Sequence, residues 1–196
     1  QDNVVPGFGK SDEARAIGEG FSDYIAASFF AARSLDEACL AEWDVRGLVV
    51  PGEPLLPCLR RLDSSKHYPE DLTGEPHADG EIWSGVLWQI WQQLGQVDAD
   101  RLTFQSNFFL EVDDNFRGGA NAILDADQLL FSGANQGFLH AVFQERGILG
   151  PKLLPPDAWE ENDSFAEAAS IELPFDQDGL TIDSPGDDDF YQFDIE

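Results

Sequence analysis

Glu19 and Asp23 stand four residues apart inside an apolar pattern of helical period formed by Ile17, Phe21, Tyr24, Ile25 and Ser28. On a helix that spacing puts both carboxylates on one face. Two acids so placed repel each other unless positive charge sits beside them. A divalent metal would relieve this, with one acid as a ligand and the other holding the ring N–H of a ligating His. The plain alternative is a solvated acidic face on an amphipathic helix. Only three His are present, His67, His77 and His140, and none belongs to an H-E-x-x-H segment. Arg60, in Leu59-Arg60-Arg61-Leu62, offers a rigid fork for a carbonyl or carboxylate.

The helix that carries the acid pair is expected from about Glu13 to Arg33, capped by Ser11 or Asp12. Val45 to Val50 reads as a short strand, and Pro51, Gly52, Pro54 and Pro57 forbid a regular element after it. A polar stretch runs to Pro76, followed by His77. A second helix starts at Asp79 or Gly80 and carries Ile82, Trp83, Val86, Leu87, Ile90, Trp91 and Leu94. So wide an apolar arc predicts a buried helix, with Trp83, Leu87 and Trp91 in the core. Further helices are expected at Ala99 to Val112, Ala120 to Phe131 and Asn135 to Arg146. Asn115 to Gly119 reads as a break. Gly150-Pro151 and Pro155-Pro156 mark a linker at 151–159. From Glu160 onward there is no Lys or Arg, and strands are expected at Ile171 to Leu173, Leu180 to Ile182 and Phe190 to Ile195.

The formal charge of −27 over 196 residues argues against nucleic acid, and an anionic membrane surface would repel the chain. Apolar content of 42% argues for a folded core despite that charge. No apolar run is long enough to span a bilayer. Acids in such number also allow calcium, with no residues assigned to it; Asp176-Gln177-Asp178-Gly179 reads as a turn, because its acid spacing does not continue as an EF-hand would. Cys39 and Cys58 either form a disulfide or remain a reduced buried pair; spacing alone does not choose. The chain begins at Gln1, contains no Met, and reads as a processed product or excised fragment.

Gly18-Glu19-Gly20-Phe21-Ser22-Asp23 resembles the Gly-Glu-Gly-Trp-Ser-Asp motif of the fungalysin family of secreted zinc metallopeptidases, relatives of the thermolysin-like enzymes, with Phe21 where Trp is usual. Pro76-His77-Ala78-Asp79-Gly80-Glu81-Ile82-Trp83 resembles that family's His-x-x-Gly-x-x-Trp segment. Ala122-Ile123-Leu124-Asp125-Ala126-Asp127 resembles a helix near the end of its catalytic domain. The three stretches occur in the family's order across residues 13–150. The resemblance implies Glu19 as the third zinc ligand, Asp23 as the group that orients a ligating His, and His77 as a donor to the oxyanion. It also implies Arg60 as a contact to the substrate carbonyl. Asp71 or Glu75 would orient His77. Residues 160–196 resemble the opening of the pre-peptidase C-terminal β-sandwich.

The expected fold is therefore mainly α: a helical C-terminal half of a thermolysin-like catalytic domain (1–150), a linker (151–159) and an incomplete antiparallel β segment (160–196). The expected function is part of a secreted zinc metalloendopeptidase acting on protein or peptide substrates. Its H-E-x-x-H helix would belong to a missing N-terminal half. The alternative from another class is a non-catalytic acidic helical binding or scaffold module.

Overall fold

Ser11 opens the first helix as the N-cap, its hydroxyl accepting from the Ala14 amide at 3.0 Å. A computed structural model describes residues 4–34, 36–45, 57–150, 166, 168–171 and 190–193. Helix α1 spans Asp12–Phe30, with Asp12 and Glu13 in the turn where the helix dipole favours negative charge. A 3₁₀ turn, Ala31–Arg33, carries it to the expected end.

Strand β1 (Cys39–Leu40) and strand β2 (Arg60–Arg61) pair antiparallel, with Leu40 opposite Arg60. The amides of Leu59 and Leu62 extend the ladder to the Leu40 and Ala38 carbonyls. Cys39 and Cys58 form a disulfide beside it, Cα to Cα 5.5 Å, which settles the open choice between bridge and thiols. Between the strands lies a one-turn helix α2, Glu42–Val45. Val45 therefore ends a helical turn instead of opening a strand, and the rest of that expected strand lies outside the described residues.

Helix α3 spans Pro76–Leu94 and starts three residues earlier than its apolar pattern suggests. Two features move the start. Proline suits the first helical position, where its missing N–H costs nothing. The Glu75 carboxylate then accepts the Ala78 amide at 2.8 Å. His77 thus belongs to the first turn of a helix and not to the loop before it. Asp79, buried on the same turn, accepts from the Thr73 amide and hydroxyl and from the Gly74 amide at 2.7–2.9 Å, closing the preceding loop onto the helix.

Gly95, at φ 77°, ends α3, and helix α4 (Gln96–Ser106) follows at once. It begins and ends earlier than expected, because the turn at Gly95 leaves no linker and the Asn107 amide group bonds back to the Thr103 carbonyl at 2.9 Å. Helix α5 spans Phe116–Phe131. The stretch Asn115 to Gly119 is its start, not a break: Asn115 caps the Gly118 amide, and Glu13 of α1 takes the Phe116 amide at 3.0 Å. Ser132, at φ 55°, stops it. Helix α6 spans Gln136–Glu145.

The core lies where α1 crosses α3. Trp83 packs against Phe116 and Phe143, with ring centroids about 6 Å apart. Tyr24 and Ser28 of α1 both donate to the Asp100 carboxylate of α4, at 2.8 and 2.7 Å. Trp83 and Leu87 are buried as the period implies, but the second buried tryptophan of the core is Trp88 and not Trp91. Trp91 is half-buried and stacks on Trp88 at 4.5 Å. Leu87 is 0% exposed, so Leu87→Ala is expected to cost about 2–5 kcal/mol. Urea unfolding measures this, and a loss under about 0.5 kcal/mol would contradict the burial.

The chain divides into two units, Gln1–Gly150 and Pro151–Glu196. In the second, strand β3 (Ala169–Ser170) pairs with strand β4 (Tyr191–Gln192) in parallel. An antiparallel pairing was expected there; residues 171–190 separate the strands, enough chain for a parallel crossover. The linker at 151–159 and the strand at Leu180 to Ile182 lie outside the described residues. No helix among the described residues is long and apolar enough to cross a membrane.

Candidate functional site

The crossing of α1 and α3 brings together residues that lie far apart in the sequence. Glu19, in the middle of α1, and His77, in the first turn of α3, meet with Oε2 and Nε2 3.5 Å apart. His77 is anchored on its other side, where Nδ1 lies 2.7 Å from Glu75 Oε1. One carboxylate therefore does two jobs: Glu75 caps α3 with one oxygen and orients the His77 ring with the other. Of the two acids considered for that role, Asp71 is occupied elsewhere, accepting the His67 backbone amide at 2.7 Å.

Charge reinforces the contact. The hydrogen bond that the ring donates to Glu75, followed by the fields of Glu19 and Glu75, lifts the His77 pKa above 6.5. The same hydrogen bond, together with the Ala78 amide, pulls Glu75 down to about 2. The pair is therefore ionised from about pH 2 to beyond 6.5. Its stabilising contribution is lost as pH falls through the depressed Glu75 value and as pH rises through the raised His77 value. Glu75→Gln is expected to lower the His77 midpoint in an NMR titration. An unchanged midpoint would mean that the ring is held by something other than Glu75.

Asp23, one turn beyond Glu19, is only 5% exposed. Arg60, presented by β2, grips it with two bonds, Nε to Oδ2 at 2.5 Å and Nη2 to Oδ1 at 2.6 Å. That hydrogen bonding raises the Arg60 pKa against the opposing effect of burial. Arg60 is therefore part of a structural ion pair, and its partner is the residue that the resemblance makes the orienter of a ligating His. No spacing rule could have linked residues 37 positions apart.

A hollow of about 370 Å³ opens beside the Glu19–His77 contact, walled by Phe8, Ala14, Gly18 and Pro76. A second hollow, about 480 Å³, lies along the C-terminal end of α1, between Ala26, Ala27, Phe30 and Leu40. His67 sits in the loop before α3 and His140 within α6.

The donors on this chain fit zinc only as part of a set. Glu19 is half-exposed and offers a carboxylate oxygen, but a zinc site needs three or four donors. No group of three His, Cys, Asp or Glu side chains among the described residues is arranged to hold a metal. Asp23 has both oxygens engaged by Arg60. Neither a protein-family model nor a curated protein sequence matches the chain.

Proposed function

We propose that residues 1–150 are the distal, helical part of the catalytic domain of a fungalysin-like zinc metalloendopeptidase. The observation that carries this reading is the 3.5 Å meeting of Glu19 with His77, from two separate motifs, with His77 locked by Glu75. Glu19 contributes one ligand oxygen, and the remaining ligands come from polypeptide outside these 196 residues. Zinc, when bound, supplies a polarised scissile carbonyl and a water of lowered pKa. His77 would act as the donor to the oxyanion: Glu75 turns the ring through Nδ1 and favours its protonated form, which leaves Nε2–H, 3.5 Å from Glu19 Oε2, to donate. Arg60 keeps Nη1, which Asp23 does not engage, for the substrate carbonyl. Secretion belongs to the same proposal, and the Cys39–Cys58 bridge suits an oxidising compartment.

A second reading, a non-catalytic acidic helical binding or scaffold module, draws on the Asp23–Arg60 pair, which ties β2 to α1 without any metal.

The test uses the longer polypeptide that carries this chain, purified and assayed for zinc content and casein hydrolysis. Hydrolysis lost on chelation and restored by zinc is the expected result; a protein with neither zinc nor chelator-sensitive hydrolysis rejects the peptidase. The 196-residue chain by itself is expected to bind zinc weakly and to cleave nothing. Tight stoichiometric binding by calorimetry, together with casein cleavage, would contradict that expectation.

A further inference from the structure

The place where α1 and α3 touch is made of glycine. A methyl group added at Gly20 would stand 2.5 Å from the Gly80 carbonyl oxygen, 2.8 Å from Trp83 Cβ and 3.0 Å from the Ser84 amide nitrogen. One added at Gly80 would stand 3.0 Å from the Gly20 amide nitrogen, 3.1 Å from the Ala16 carbonyl oxygen and 3.2 Å from Cβ of Glu19 itself. Most of these neighbours are backbone, which cannot swing aside as the end of a long side chain can. Gly20 directly follows Glu19, and Gly80 lies three residues after His77, on the same turn of α3. The two chemical groups therefore flank a point where the helix backbones leave no room for a side chain between them.

We infer that Gly20 and Gly80 are positioning residues of the site: the missing side chains at this crossing set the separation of Glu19 from His77. The inference rests on reading Glu19 and His77 as one site, and it names what assembles that site. Both helices are rigid over several turns, so a shift at the crossing is transmitted to the groups beside it. The added methyl at Gly80 would press on the stem of Glu19 as well as on the backbone of α1. A displacement of a few tenths of an ångström relieves that clash, so Gly80→Ala keeps the fold while parting the two groups. Gly20→Ala, with its closer clashes against backbone, is the more severe change.

An engineered metal clamp reads the separation directly. In Glu19→His the introduced imidazole faces Nε2 of His77, whose other nitrogen is already held by Glu75 as a ligating His requires. Zinc alone is the probe, followed by calorimetry and by the rise in thermal midpoint. The expected results are weak zinc binding by Glu19→His, with water filling the positions that two imidazoles leave open, its loss when His77→Gln is added, and about a tenfold or greater drop in affinity when Gly80→Ala is added. Gly85→Ala is the control. It makes the same chemical change on the same helix, but there the added methyl meets the Arg146 guanidinium at 3.3 Å. It should leave zinc affinity within about twofold, well inside the loss expected at Gly80.

The inference is overturned if Gly80→Ala keeps the affinity of its parent, if Gly85→Ala loses as much, or if Glu19→His binds no zinc through His77. Should Gly80→Ala be unfolded in plain buffer, the same titration is made in sucrose, which favours the buried state. No peptidase assay enters the test, so failure of the peptidase reading and failure of this inference are separate outcomes.

Discussion

Arg60→Ala is expected to destabilise residues 1–150 by about 3–5 kcal/mol, the usual consequence of stranding one member of a buried ion pair. Asp23 would keep its burial and lose both guanidinium bonds. Its carboxylate would then have to draw in water or give up its charge. The pair is not expected to exceed an apolar substitute in stability, because desolvating two ions offsets much of their attraction. The double variant Asp23→Leu with Arg60→Met should therefore recover most of the loss. Arg60→Lys should recover little, since an ammonium cannot reproduce a two-pronged grip. Urea unfolding of the four proteins measures all of this. If Arg60→Ala costs less than about 1 kcal/mol, the pair behaves as an exposed one and Asp23 has another donor.

This ion pair also marks where sequence stops being informative. The helices of residues 1–150 announce themselves, because a 3.6-residue apolar period needs no partner to be recognised. Their ends depend on caps, and one of those is unusual. Glu75 caps α3 although Ser, Thr, Asp and Asn are the common cap residues, so the apolar pattern alone points to a start at Asp79 or Gly80, after His77. Gly118-Gly119 looked like a break before α5, but Gly119 is where Trp83 packs, with no room for a methyl. The broad apolar arc of α3 identified a buried helix without showing its edges, which is why Trp91 was taken as core in place of Trp88. Pairings across the fold had no sequence signal at all. In a chain with 38 acids and 11 basic residues, nothing local singles out Asp23 as the partner of Arg60, or Glu75 over Asp71 as the partner of His77. The direction of the β3–β4 pairing was equally hidden, since two-residue strands carry no alternation to read.

If residues 1–150 belong to a zinc peptidase as proposed, Glu19 and Asp23 should fail in different ways in it, and the difference tests the proposed function at its central residue. Glu19→Gln keeps the size of a half-exposed side chain and removes the charge that would balance zinc. Thermal stability of the metal-free protein should change little, while zinc occupancy and hydrolysis fall together. The loss should exceed the roughly 10- to 100-fold typical of groups that only support a ligand. Asp23→Asn acts through its neighbours. One of its two acceptors becomes an amide that faces an Arg60 N–H, so donor meets donor in a buried place. Arg60 is loosened, any His ring resting on Asp23 is held less firmly, and activity should drop within that 10- to 100-fold range. Added zinc should partly restore Asp23→Asn, since its ligands remain, and should do little for Glu19→Gln. Asp23→Asn should also melt earlier, and Glu19→Gln should not. If both variants keep full zinc content and full hydrolysis, Asp23 serves only to hold β2 on α1 and Glu19 is a solvated acid. The helical unit would then be an acidic scaffold, and the contact between Glu19 and His77 an electrostatic one without chemistry.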